Sequence, residues 1–179
     1  MLILGLTIQA YSQDFILGAR YGYGKASYKR QSDGLMIPNH AMHRMGISLE
    51  FSPYFSKLFL VSGIEFETND LGNSLSIPLG FRVCIGNKFS PFLELGAYYS
   101  HPLRTRDTIY TITRDAGVRA GAGLLYTLNK RWRIELGYFH RFGFKGVLGE
   151  EIPLPAGNVT FEQYDLRNGN LELGVKYRF

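Results

Sequence analysis

The sequence predicts an all-β fold: an eight-stranded antiparallel up-and-down transmembrane β-barrel with a polar, side-chain-filled lumen. Three observations carry this. Eight stretches of eight to eleven residues alternate strictly in polarity, and alternate side chains of a strand point to opposite faces. One parity class in all eight carries no charge. The segments between them switch between short turns and long polar stretches, as in barrels that cross an outer membrane.

Taken in order, the strands are 15–24, 43–51, 58–67, 75–85, 92–99, 117–126, 132–142 and 171–179. The first sets Phe15, Leu17, Tyr21 and Tyr23 against Arg20 and glycines. The second sets Met45, Ile47, Leu49 and Phe51 against Arg44 and Glu50. The third opposes Leu60, Ile64 and Phe66 to Glu65 and Glu67, and the fourth opposes Ile77, Leu79 and Phe81 to Arg82. Pro78 removes a ladder donor from that fourth strand, so a bulge is expected there. The fifth sets Leu93, Leu95 and Tyr99 against Glu94, and the sixth sets Val118, Leu124 and Tyr126 against Arg119. The seventh carries Trp132, Ile134, Leu136 and Tyr138 opposite Arg133, Glu135 and Arg141. The last alternates Leu171, Leu173, Val175, Tyr177 and Phe179 with Glu172, Gly174, Lys176 and Arg178. Leu125 and Phe139 fall on the charged parity, which a packed lumen accommodates. Residues 52–57, 86–91 and 127–131 read as turns, 68–74 as an intermediate connection, and 25–42, 100–116 and 143–170 as long loops.

Of 41 positions on the uncharged parity none is charged, where the chain's 20% would put about eight; His43, Ser62 and His140 are its polar members. The intervening positions hold fourteen charges (six acidic, eight basic) and twelve glycines. A soluble barrel would reverse this, with apolar residues inside. Its lumen, only just wide enough for side chains, would be overfilled by Phe51, Phe66, Phe81, Trp132, Tyr138 and Tyr177 with the rest of that set. The uncharged face therefore touches lipid. No apolar run reaches the ~18 residues of a membrane helix.

Residues 1–12 read as the remnant of a secretory signal: an apolar run, then Ala10 and Ser12 at −3 and −1, with Gln13 first after cleavage. Residues 13–179 are expected to form the outer-membrane β-barrel domain, with both termini and the short turns in the periplasm. The formal charge of +5 is unchanged by that cleavage. Basic residues alternate with glycines and acids and form no run, which argues against nucleic acid. Cys84 is the sole cysteine, so no intramolecular disulfide forms.

Buried charges need partners. The lumen is expected to hold a salt-bridge network of Arg20, Arg44, Glu65, Arg82, Glu94, Arg119, Glu135, Arg141, Glu172 and Lys176, forming a plug rather than an ion-selective pore. Aromatic girdles are expected from Phe15, Phe51, Trp132 and Phe179 at one end and Tyr21, Phe66, Tyr99 and Tyr138 at the other. No cofactor or metal is expected, and no catalytic residue is assigned. His40 and His43 lack a cysteine or carboxylate at matched spacing. His140 is faintly similar to the histidine of outer-membrane lipid A deacylases, but Phe142 stands where their serine nucleophile belongs. The basic third loop, with Arg104, Arg106 and Arg114, is a hypothetical contact for lipopolysaccharide.

Leu75-Ser-Ile-Pro-Leu-Gly-Phe-Arg and Ser90-Pro-Phe-Leu-Glu-Leu-Gly-Ala-Tyr resemble the middle of the PorT-like outer-membrane β-barrel family, often labelled "porin family". So do Asp115-Ala-Gly-Val-Arg-Ala-Gly-Ala-Gly-Leu-Leu-Tyr, Arg131-Trp-Arg-Ile-Glu-Leu-Gly-Tyr and the terminal Gly174-Val-Lys-Tyr-Arg-Phe179. The resemblance covers roughly residues 15–179. It implies an eight-stranded barrel exported to a Gram-negative outer membrane, with Tyr177 and Phe179 as the C-terminal signal read by the barrel-assembly machinery. The function expected is structural, or recognition by the long loops, without an open pore and without enzyme activity. The partners expected are outer-membrane lipid and lipopolysaccharide, the assembly machinery, and an unidentified protein at the loops; nucleic acid is excluded and the chain is a monomer. A small-solute porin or channel and a lipid-modifying enzyme are the alternatives.

Overall fold

The computed structural model describes residues 14–52, 57–105, 110–112, 114–144, 148–153 and 159–179. Residues 1–12, read above as a leader, lie outside the described residues. The described chain holds ten strands: β1 Asp14–Arg30, β2 Met36–Ser52, β3 Leu58–Asn69, β4 Gly72–Cys84, β5 Phe89–Thr105, β6 Tyr110–Ile112, β7 Asp115–Thr127, β8 Trp132–Gly143, β9 Leu148–Pro153 and β10 Val159–Arg178. Eight of them, β1-β2-β3-β4-β5-β7-β8-β10, pair antiparallel in that order, and β10 closes on β1 through fifteen residue pairs from Ile16↔Arg178 to Arg30↔Tyr164. The barrel is therefore complete and has no free edge, which a sheet in hydrocarbon requires. β9 and β6 are short; β9 pairs with the first part of β10, and β6 pairs with β9, outside the closed ladder.

The register fixes the barrel's shape. Following pairs sideways from Lys25 through Gly169, His140, Ala120, Leu95, Phe81, Leu60 and Phe51 returns to β1 at Phe15. The return lies ten residues below the start (25 − 15 = 10). Eight strands with that stagger, at ~3.3 Å rise and ~4.7 Å separation, tilt by about 41° around a radius of about 8 Å. Every residue on this row has outward parity.

Three long polar segments prove to be largely strand. β1 and β2 run on to a tight turn at 31–35, where Arg30 N donates to Leu35 O at 2.8 Å and Gly34 takes φ +76°. Asp33 accepts from Leu35 N at 2.9 Å and from Arg30 Nε at 2.9 Å, and that guanidinium holds its carboxyl down to about 2. The Asp33-Gly34 pair is the hairpin signal that the polarity of 25–42 obscured. Asn69 Oδ1 caps an equally tight turn by accepting from Leu71 N and Gly72 N, both at 3.0 Å. β1 spans 17 residues, roughly 42 Å along the axis at this tilt, against the ~25 Å apolar band of such barrels. The surplus is a crown at one end; the connections β2–β3, β4–β5 and β7–β8 form the turn end.

Pro78 makes no bulge. The pairing of β3 with β4 stops at Ser62↔Leu79 and resumes at Glu65↔Ser76 in unchanged register. Proline withholds one donor, the ladder skips two residues, and Ser62 Oγ donates to Pro78 O at 3.1 Å. The register shifts lie elsewhere, between Ala26 and Tyr28 and between Asn73 and Ser74.

None of the 41 uncharged-parity positions is buried, and Ile47, Leu79 and Leu136 are 58%, 55% and 49% exposed. Arg82 and Glu135 are both 0% exposed. Spin labels at Ile47, Leu79 and Leu136 in a Cys84→Ser background are expected to collide with dissolved oxygen and not with a water-soluble relaxation agent. Water contact at all three, with bulk exposure at Arg82 and Glu135, would reverse the assignment of faces.

Candidate functional site

The lumen is a stack of ion pairs between two apolar plugs. At the turn end Ile16, Phe59, Val61, Cys84, Phe92 and Leu125 pack into one cluster, which Phe139 extends upward to Arg119. Beneath the crown Ala26, Tyr28, Met42, Leu71 and Leu166 are buried. Between them lie six carboxylates and six cations, each 6% exposed or less.

The stack has two tiers. In the lower, Arg82 of β4 reaches Glu50 at 2.7 Å, Glu94 at 2.5 Å and Glu135 at 2.5 Å, and Lys176 of β10 joins Glu50 and Glu135. In the upper, Arg44 meets Glu67 at 3.0 Å and Glu172 at 2.8 Å, and Arg20 meets Glu65 at 3.0 Å. Arg119 pairs with Glu65 and Glu172, and Arg141 pairs with Glu65 and Glu67. Three carboxylates face two cations below and four cations above, so neither tier is neutral alone. Arg119 Nε at 3.4 Å from Glu94 joins them and balances the whole at six against six.

Register explains who meets whom. Arg44↔Glu67 and Arg82↔Glu94 are cross-strand neighbours. Arg119 and Arg141 also sit directly opposite, a repulsive pair. Glu65 resolves it from across the lumen, giving one oxygen to each guanidinium. Rings cover the remaining cation faces: Arg119 Cζ lies 4.1 Å from the Phe139 centroid, Arg82 Cζ 4.3 Å from Phe92 and Arg141 Cζ 4.6 Å from Tyr98. Two glycines supply the room. A Cβ at Gly121 would fall 2.2 Å from Phe139 Cδ1, and one at Gly46 would fall 2.8 Å from Glu65 Cγ.

The network takes in more than the ten residues named from sequence. Glu50 and Glu67 are full members, Asn168 Oδ1 accepts from Arg44 Nη2 at 3.2 Å, and Ser76 Oγ accepts from Arg141 at 3.1 Å. Tyr98 Oη donates to the buried Asp115 at 2.5 Å. Asn168 and Asp115 fell in segments read as loops, although Leu166, Asn168 and Asn170 continue the inward parity of Glu172. Arg133 and Arg178 line a vestibule of about 250 Å³ at the turn end that Phe59, Cys84 and Leu125 floor. Under the crown, Tyr28, Met42, Glu67 and Leu166 line a cavity of about 30 Å³, room for about two waters.

The aromatics form two belts. Phe15–Phe179, Phe179–Tyr177 and Tyr177–Trp132 are successive ring contacts at 6.2, 5.1 and 5.0 Å at the turn end. Phe51 lies half-buried beside Phe15 in register. Phe89, placed in a turn by sequence, joins this belt by stacking on Tyr126 at 4.7 Å. Tyr21, Phe66, Tyr99 and Tyr138 face outward nearer the crown.

His40 and His43 project to opposite faces of β2: His40 Nδ1 lies 3.8 Å from Asp70, while His43 accepts or donates at 2.7 Å with Tyr21 Oη. Among the described residues no cluster of histidine, cysteine and carboxylate has metal-binding geometry. His140 stacks on Phe142 at 4.3 Å on the outward face. Of the third-loop arginines, Arg104 and Arg114 are exposed and Arg106 lies outside the described residues.

Removing one partner from a buried ion network leaves charge uncompensated, at a cost of about 3–5 kcal/mol. Glu65→Gln, which strips the shared acceptor from Arg20, Arg119 and Arg141, is expected to destabilise the folded barrel by that amount. Arg104→Ala should change it by less than about 0.5 kcal/mol. Urea unfolding in lipid, followed by Trp132 fluorescence, measures both; equal midpoints would show that the network adds nothing to stability.

The model for the outer membrane protein beta-barrel domain matches residues 1–179. A search of curated proteins found no match. Among solved structures, Neisserial surface protein A aligns at 18% identity over 92% of this chain and 97% of its own, with a TM-score of 0.61. The outer membrane protein OprG of Pseudomonas aeruginosa aligns at 16% identity over 93% and 95%, TM-score 0.56. The outer membrane enzyme PagL aligns at 16% identity over 87% and 97%, TM-score 0.50. At these identities the likeness is one of fold.

Proposed function

The chain belongs to the outer membrane protein β-barrel domain family, and we propose that within it this protein is a sealed, rigid pedestal whose crown recognises partners at the cell surface. The observation that carries this is the ion-paired stack: Arg82, Arg141, Glu135 and Lys176 are each 0% exposed midway along the lumen. A solute would have to break charge pairs that are buried away from bulk solvent. The polar backbone surplus instead goes into β1, β2 and β10 beyond the apolar belt, the part of a rigid scaffold on which recognition usually resides.

This reading sets the crown outside and both termini in the periplasm, because short turns face the periplasm in such barrels. It keeps the chain in the PorT-like branch on the strength of the segments around Leu75–Arg82 and Gly174–Phe179. It leaves enzyme activity aside, since Phe142 fills the place beside His140 that a nucleophile would need. Residues 1–12 serve as the export leader.

Purified protein in planar bilayers is expected to give no unitary conductance steps. Reproducible steps, lost when Arg82 and Glu135 are exchanged for bulkier neutral residues, would establish the porin reading instead. Asp33→Cys in intact cells is expected to react with an impermeant maleimide, and protection until lysis would invert the orientation.

A further inference from the structure

The outward wall has a gap in its side chains near the crown. Gly169 of β10 pairs with Lys25 on β1 and with His140 on β8, so that row has no side chain at its centre. The row above is Ser27, Arg167, Phe142, and the row below is Tyr23, Leu171, Tyr138. The result is a trough of about 440 Å³ open to the outside. The hydroxyl of Tyr138 lies on its floor: a Cβ at Gly169 would fall 2.0 Å from that oxygen and 3.3 Å from His140 Nδ1.

The donors around the trough are held in place. The Arg167 guanidinium stands 5.1 Å over the Phe142 ring, and Ser27 Oγ donates to Arg167 O at 3.0 Å. Lys25 is exposed on the opposite rim. The nearby carboxylate, Asp165, sits one row further out opposite Lys29 and accepts from Gln31 Nε2 at 2.6 Å. An ammonium, a guanidinium, an imidazole and a phenol thus converge on one concavity at the height of the upper aromatic belt. Below it Leu171, Leu173 and Leu136 continue as plain hydrocarbon surface. Convergent cations above an apolar track match a ligand with a phosphate on top and acyl chains beneath.

We propose that this trough between β1, β10 and β8 binds the phosphate of a lipid headgroup in the outer leaflet. The leaflet rests on the orientation given under the proposed function; the trough's chemistry does not. The phosphate has two sources, a phosphorylated glycolipid such as lipopolysaccharide or a glycerophospholipid.

The test uses the full chain in dodecyl maltoside micelles, whose headgroups carry no phosphate. Lipopolysaccharide, dephosphorylated lipopolysaccharide or phosphatidylglycerol is titrated in, with amide shifts of Lys25, Arg167 and Gly169 as the readout. Saturable shifts with lipopolysaccharide and none with its dephosphorylated form are expected, and the phosphatidylglycerol arm assigns the source. Each cation near the surface is worth about fivefold. Lys25→Gln with Arg167→Gln should therefore weaken binding roughly thirtyfold, and Gly169→Leu should abolish it by filling the trough while both cations remain. If the double variant loses its heat-modifiable mobility, the exposed single change Lys25→Gln decides, at about fivefold. Equal affinity in folded Lys25→Gln, or equal shifts with the dephosphorylated lipid, overturns the proposal. Micelles have no leaflets, so failure of the orientation appears only in the Asp33→Cys labelling of intact cells.

Discussion

The structure depends on charge balance within a cylinder of about 8 Å radius. Hydrocarbon outside forbids any lumenal charge from escaping through the wall, so neutrality has to be reached inside. Neither tier reaches it alone, and the Arg119–Glu94 contact at 3.4 Å couples them. Much else follows from this requirement. Glycines 46 and 121 clear space for long side chains, aromatic rings cover guanidinium faces, and apolar plugs at both ends keep water from competing for the pairs.

The outward face was legible in the sequence because lipid is an unforgiving solvent. A single charge there costs about 2–4 kcal/mol at midplane, so parity alone sorts the strands. The lumen was legible by type and by height, which groups Arg82, Arg119 and Arg141 with Glu65, Glu94 and Glu135. That Arg119 and Arg141 share Glu65 was not, since that contact spans the lumen and depends on the ten-residue stagger. The crown was least legible. Polar residues at 25–42 and 143–170 look like loops by composition, yet once beyond the membrane a strand no longer needs an apolar face, and the alternation that marks it disappears. Leu166, Asn168 and Asn170 kept the inward parity, and Asp33-Gly34 kept the turn chemistry; those were the available signals.

Pro78 shows how local strain is absorbed. A bulge would have shifted every side chain beyond it to the other face, putting Leu75 and Ile77 inward and Ser76 outward. Skipping two pairs keeps the register, and the Ser62 hydroxyl satisfies the carbonyl left over. Ser62 is thereby explained: it is a polar residue on the lipid side because it serves the backbone.

The seam between β1 and β10 has a temporal meaning. Fifteen residue pairs join the earliest described strand to the last, a separation of well over a hundred residues along the chain. Contacts so remote are slow to form, and until they exist the sheet carries two raw edges that hydrocarbon cannot tolerate. The cylinder thus closes only once β10 reaches β1. Until then the ribbon is unfinished, and the zipping of these two strands is the moment when its last backbone groups leave solvent.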